Sequence, residues 1–150
     1  MRPIAQAFET ISLAKVSRSA AAARDLAFLR PQDRITMNRE RLLADAKARV
    51  LELTKDYRPP EPPSFVLPGP TAKMALSLAV DGFVLQGKAL PHDRTVSMAL
   101  AGVLSGGPKA DITLPTTEDQ LLALERAAFM ELIRQQPSLA RMEHMLETGK

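Results

Sequence analysis

His92 and His144 are the side chains of this 150-residue chain best suited to move a proton or hold a metal near neutral pH. They fall on different expected helices, and neither has a second ligand at metal-binding spacing. Glu143 adjoins His144, but neighbouring residues on a helix point apart. Between Gly102 and Gly107 a Ser-Gly-Gly turn suggests a phosphate cradle. It lacks the Gly-Lys-Ser/Thr ending of a P-loop and follows an expected helix rather than a strand, so it reads as a helix stop. No serine stands in a Gly-x-Ser-x-Gly elbow. Glu118 and Asp119 form a carboxylate pair whose simplest role is at the positive end of a helix. Met142 and Met145 could line an adaptable groove, yet their helical spacing reads as packing. With no cysteine, thiol catalysis, disulfides and cysteine-held metals are excluded. The residues yield no expected catalytic, cofactor-binding or metal-ligating set.

Charge narrows the partners. Twenty Lys and Arg against 17 Asp and Glu leave a net charge of +3. The densest basic stretch, Arg30 to Arg49, interleaves its arginines with Asp33, Glu40 and Asp45, which reads as a solvated helix face. Aromatic residues are 4%, with no Trp, so platforms for stacking bases are scarce. A nucleic-acid partner is not expected. No run approaches the roughly 18–20 apolar residues needed to span a bilayer, and the N-terminus has no signal-peptide pattern. The expected compartment is the cytoplasm.

Stepwise, the elements read as helices. Ile4, Ala7, Phe8 and Ile11 repeat at helical spacing, so a first helix should run to about Leu13–Ala14. Ser17 or Ser19 can cap a second, Ala20 to Leu26, before Pro31 interrupts. Thr36 or Asn38 then opens a long helix to about Tyr57, with Leu42, Leu43, Ala46, Val50 and Leu53 as its stripe. Residues 58–69 form a Pro-rich linker: Pro59-Pro60-Glu61-Pro62-Pro63 is stiff and extended, and suits a spacer better than an SH3-type ligand. Phe65, Val66 and Leu67 should lie extended against the body of the protein. Residues 1–57 and 70–150 are thus two helical regions either side of the linker.

In the second region Met74, Leu78 and Leu85 mark an amphipathic helix from Thr71 to Gly87. Pro91-His92-Asp93 starts the next, with Val96, Leu100, Val103 and Leu104 apolar. Thr116-Thr117-Glu118-Asp119 is an N-terminal signature for a helix reaching about Gln136. Leu121, Leu124, Ala128 and Leu132 should face inward there and make it the core of the second half. A last helix, Ser138 to Thr148, should turn Leu139, Met142, Met145 and Leu146 inward and end at Gly149. No alternating strand of useful length is visible. The fold class is all-α, with about six or seven helices.

Several segments are more specific than these patterns. They are Phe8 to Ser17, Phe28-Leu29-Arg30-Pro31-Gln32-Asp33 on to Arg39, Leu67-Pro68-Gly69-Pro70-Thr71, Pro91-His92-Asp93, Ala101 to Gly107, Leu124 to Phe129 and Ala140 to Lys150. In that order they resemble the C-terminal region of bacterial 3-hydroxyacyl-CoA dehydrogenases that carry an enoyl-CoA hydratase, crotonase-like, part. The resemblance covers nearly the whole chain. It implies that residues 1–57 are the tail of the crotonase-like part, and that the chain is a helical piece of a fatty-acid β-oxidation enzyme. It implies NAD and acyl-CoA for the full enzyme and none held by this chain. The dinucleotide loop, the dehydrogenase dyad and the crotonase spiral would lie upstream of Met1. Relative to the family, Ala27 stands where glycine is usual, and the usual Pro-Leu-Arg-Asn tail is not present after Lys150. An aromatic and a lysine that touch CoA in simpler crotonases would fall near Met145 and Thr148, so no site residue carries over. The implied partners are the rest of the enzyme and a second copy. Self-association should use the alanine-rich helix Ala20–Leu26 and the apolar side of Ile4–Leu13.

Overall fold

Caps legible in the sequence open and close several of the helices. The computed structural model describes residues 2–149. In chain order the elements are α1 (Arg2–Ser12), α2 (Ala20–Asp25), α3 (Leu42–Leu53), β1 (Ser64–Val66), α4 (Gly69–Leu85), α5 (Pro91–Leu104), β2 (Pro115–Thr117), α6 (Glu118–Leu132) and α7 (Gln136–Thr148). Among the described residues the fold is all-α apart from one small antiparallel pair. The pair joins Ser64 to Thr117, Phe65 to Thr116 and Val66 to Pro115. The extended Phe65–Val66 segment was expected; its pairing with β2 was not.

Two compact units share the chain, residues 2–14 with 62–149 and residues 15–61. The sequence had grouped 1–57 as one region, whereas α1 belongs with the second half of the chain. The physical reason is Phe8, which is 3% exposed and packs with Leu76, Val80 and Ala101 as the core. Ile4, Leu100 and Leu104 close around that cluster. The expected uncovered side of Ile4–Leu13 is therefore partly occupied by its own unit.

Within this unit α4 and α5 form the centre. α4 buries Ala72, Leu76 and Val80, spaced four apart, and α5 buries Ser97 and Ala101. Met74, Leu78 and Leu85, the residues that marked the helix in the sequence, are exposed. Because α4 is apolar nearly all round, periodicity alone left its inner face ambiguous. The inner face is the one whose Leu76 and Val80 meet Phe8 of α1 and Ala101 of α5.

α6 opens as expected. The Thr117 hydroxyl accepts from the Gln120 N–H at 3.3 Å, and the Gln120 side chain accepts from the Thr117 N–H at 2.9 Å. This reciprocal pair satisfies two donors of the helix end. Leu121, Leu124, Ala128 and Leu132 are half-buried rather than buried, so α6 flanks the core instead of forming it. On α7 only Met142 of the four expected inward residues is even half-buried; Leu139, Met145 and Leu146 are exposed. Gly149 ends α7 in the left-handed conformation, its N–H donating to the Met145 carbonyl.

The unit of residues 15–61 holds α2 and α3. Ser19 caps α2, accepting from the Ala22 N–H at 3.1 Å. Asn38 caps a single 3-10 turn, Arg39–Arg41, ahead of α3, and a second such turn, Thr54–Asp56, follows it. The single helix expected up to Tyr57 is thus three shorter pieces. Thr36 does not cap: its hydroxyl donates to the Asp45 carboxylate at 3.1 Å. α3 has no buried residue.

α2 ends in a left-handed residue, Ala27, with φ 59°. The Phe28 N–H donates to the Ala23 carbonyl and the Ala27 N–H to Arg24, the bond pattern that normally selects glycine. An alanine there costs about 1–2 kcal/mol of steric strain. Part of it is offset by the lower freedom of alanine in the unfolded chain, about 0.4–1 kcal/mol. Ala27→Gly is expected to stabilise residues 15–61 by a net gain of about 0.5–1 kcal/mol, read from urea unfolding. A loss of stability would show that the left-handed turn is not the native one.

Candidate functional site

The residues best placed to form a site line a groove of about 450 Å³ where α1, α5, α6 and α7 meet. Helix periodicity explains its walls. Val96, Leu100 and Val103 come from one side of α5, and Leu121, Ala128 and Leu132 from one side of α6. Ile11 and Ser12 enter from the end of α1. The Ser12 hydroxyl is shut off from solvent and has no hydrogen-bond partner among the described residues. A buried hydroxyl without a partner is uncommon, and it stands in a mostly apolar lining that also includes Ser97 and Glu125.

Asp93 and Arg141 stand at the rim. The Arg141 guanidinium donates to Asp93 at 2.7 Å, and the Leu90 backbone N–H donates to the same carboxylate, also at 2.7 Å. The Leu90 bond is the main reason the Asp93 carboxyl titrates below the ordinary aspartate range, with Arg141 adding to it against the cost of burial. Both bonds favour the charged form. The stability they contribute is therefore present above the usual aspartate pKa and lost as pH falls through the lowered one. Asp93→Asn is expected to lower the melting temperature at neutral pH, with the difference from the native chain shrinking below about pH 4. A pH-independent difference would assign the effect to packing.

His92 lies next to this pair, but its ring nitrogen meets the Ser138 hydroxyl at 2.9 Å. Ser138 is buried at the start of α7, and neither residue lines the groove. A histidine beside a serine is the pairing that activates a nucleophile. Here it ties α5 to α7. His144 contributes its backbone carbonyl to Thr148. No group of three or more metal-ligating side chains gathers among the described residues. Ser105 is buried and donates to the Ala101 carbonyl at 2.6 Å, so the Ser-Gly-Gly segment closes α5.

The unit of residues 15–61 has its own cleft, lined by Arg30, Arg34, Arg49, Asp33, Asp45 and Glu52. Its charges are paired. Glu52 meets Arg49 at 2.9 Å and Arg34 at 3.2 Å, and Arg41 meets Asp45 at 3.3 Å. The Arg49 hydrogen bond, foremost, holds Glu52 below the usual glutamate range. Exposed pairs of this kind are worth little to stability, and they leave few free cations for a phosphate backbone.

The geometry thus supplies a mostly apolar groove with one unpaired hydroxyl, a paired Asp93–Arg141 rim and the Glu125 carboxylate on its wall, suited to holding an apolar group. Sequence reasoning missed it because its walls come from four helices, one of them, α1, about eighty residues before the others. The one local signal was Asp93, three residues after Leu90, where an acid reaches back to the helix end.

No protein-family description matches the chain, and no solved structure matches it. No helix among the described residues is long and apolar enough to cross a membrane. Across 151 aligned positions, all of this chain, it is 39% identical to a probable 3-hydroxyacyl-CoA dehydrogenase of Bacillus subtilis (strain 168). The chain spans 19% of that relative's length, so what it resembles from end to end is one stretch of a much longer dehydrogenase polypeptide.

Proposed function

We propose that this chain is a helical, non-catalytic part of a fatty-acid β-oxidation enzyme that oxidises 3-hydroxyacyl-CoA with NAD. In this reading the enzyme also carries a crotonase-like enoyl-CoA hydratase part, works in the cytoplasm and assembles as a homo-oligomer. The role of this region is to pack on the catalytic body and support that assembly. The observation that carries the reading is 39% identity over the whole chain to a dehydrogenase about five times as long. NAD supplies the hydride acceptor of such a reaction. The described residues do not fit it: a dinucleotide needs a glycine-rich turn between a strand and a helix, and among them both strands are three-residue pieces without one.

The test has two arms. The isolated chain is expected to give no NADH from a 3-hydroxyacyl-CoA and no hydration of crotonoyl-CoA above the no-enzyme control. The Bacillus relative with its matched fifth replaced by this chain is expected to retain 3-hydroxyacyl-CoA oxidation. Turnover by the isolated chain would overturn the non-catalytic role, and a folded but inactive chimera would overturn the family reading. A free-standing interaction module is the second reading, favoured by the exposed Pro59–Pro63 run. It predicts an inactive chimera together with a stable, monomeric isolated chain.

A further inference from the structure

The chain keeps more surface than its size requires. It exposes 11951 Å², whereas a folded monomer of its mass exposes roughly 7,500 Å². Even counted as two separate compact bodies, chains of these lengths would expose only roughly 9,000 Å². A pairwise interface of ordinary size takes about 800 Å² from each partner, so one such contact would hide only part of the surplus. An excess this large is the scale of an obligate interface.

α4 shows where part of the cover goes. Met74, Leu78 and Leu85 are 69%, 68% and 88% exposed. At 3.6 residues per turn they fall within an arc of about 40°. Ala72, Leu76 and Val80 lie on the opposite side and are buried. A helix apolar on two opposite faces belongs between two layers, and one layer, α5 with α1, is already in place. Gly82 flanks the outer stripe, with open space where a side chain would be, so the face is flat. The charge at its margin, Asp81, is neutralised by Arg94 at 2.6 Å. The surface that covers it must therefore be apolar and needs no compensating charge.

We propose that the outer face of α4, centred on Leu78, docks against the body of the dehydrogenase polypeptide, making α4 the middle layer of a three-layer packing. This rests on the reading that the chain is part of such an enzyme. The occupant is the rest of the polypeptide because the matched stretch is 19% of the Bacillus relative, and the remaining four-fifths is large enough to supply a cover of this size.

The chain has no cysteine, so Leu78→Cys or Leu85→Cys gives a single reporter thiol. Alkylation by iodoacetamide is followed by mass spectrometry of the α4 peptide, in the dilute isolated chain and in the chimera with the Bacillus enzyme. Both thiols are expected to react freely in the isolated chain. In the chimera they should react about a hundredfold more slowly, as for a site that opens only locally, and recover in urea. Equal rates in both proteins would overturn the proposal. Protection in the isolated chain that grows with concentration would also overturn it and make a second copy the occupant. Dehydrogenase activity of the chimera judges the family reading separately, since a folded, inactive chimera can still show or lack protection. If the chimera does not fold, Leu78→Lys with Leu85→Lys in the isolated chain decides. Loss of apolar-dye binding supports the docking face, and unchanged binding overturns it.

Discussion

Truncating Phe8 to alanine is expected to cost about 3–5 kcal/mol, a large share of the roughly 5–15 kcal/mol that holds a domain together. Phe8 is 3% exposed and is the one aromatic in a buried cluster completed by Leu76, Val80 and Ala101. The cavity left behind is lined by Leu76, Val80 and Ala101, which are held on two packed helices and can collapse into it only in part. The loss should fall on α1 first and then on the α4–α5 centre it covers. The melting temperature should drop by more than about 10 °C. Ile11→Ala, on the same helix but half exposed, is expected to change stability by less than about 1 kcal/mol. Comparable losses from the two variants would mean that α1 does not seat as described.

Gly69→Ala should be nearly as damaging for a different reason. Gly69 is buried with φ 68°, and its N–H donates to the Ser105 carbonyl at 2.9 Å. A side-chain carbon there would run into the Ala110 carbonyl oxygen. The left-handed conformation adds about 1–2 kcal/mol for any other residue, and the backbone shift needed to relieve the overlap a similar amount. A loss of about 3 kcal/mol is expected in thermal unfolding. Gly82→Ala is the contrast. Gly82 lies inside α4 with nothing within 4 Å of the added carbon, so alanine should stabilise by up to about 1 kcal/mol. A Gly69→Ala chain as stable as the Gly82→Ala one would refute the packing of α4 against the Ser105–Ala110 segment.

What the sequence made legible was local chemistry. Ser19, Thr117 with Gln120, Asp93 and Gly149 each satisfy backbone groups within a few residues of themselves, so the residue type discloses the role. Faces were harder. On α4 the sequence marked the helix by Met74, Leu78 and Leu85, yet the buried residues are Ala72, Leu76 and Val80. On α6 the four marked residues do lean inward, but the core is made where α1 returns to α4 and α5. Nothing in the local pattern of Phe8 announces partners at Leu76 and Ala101. The same holds for β1 and β2, three residues each and paired across about fifty positions, and for the groove beside Ser12. Alternation needs length to be seen, and a site built from four helices has no spacing to read.

The placement of residues 15–61 between two segments of the other unit has a consequence for the order of events during synthesis. Phe8 is made early, but its partners on α4 and α5 arrive only when Leu76 and Ala101 have been added. At about 5–20 residues per second, the apolar side of the first helix waits on the order of 5–20 s for its partners. Closing so long a loop costs entropy that grows only slowly with its length, so waiting, not distance, is the larger hazard. During that interval the nascent chain offers an uncovered amphipathic helix to chaperones or to other nascent chains. The inserted stretch, whose bonds are mostly local, can take shape in the meantime and shorten the loop that remains to be closed.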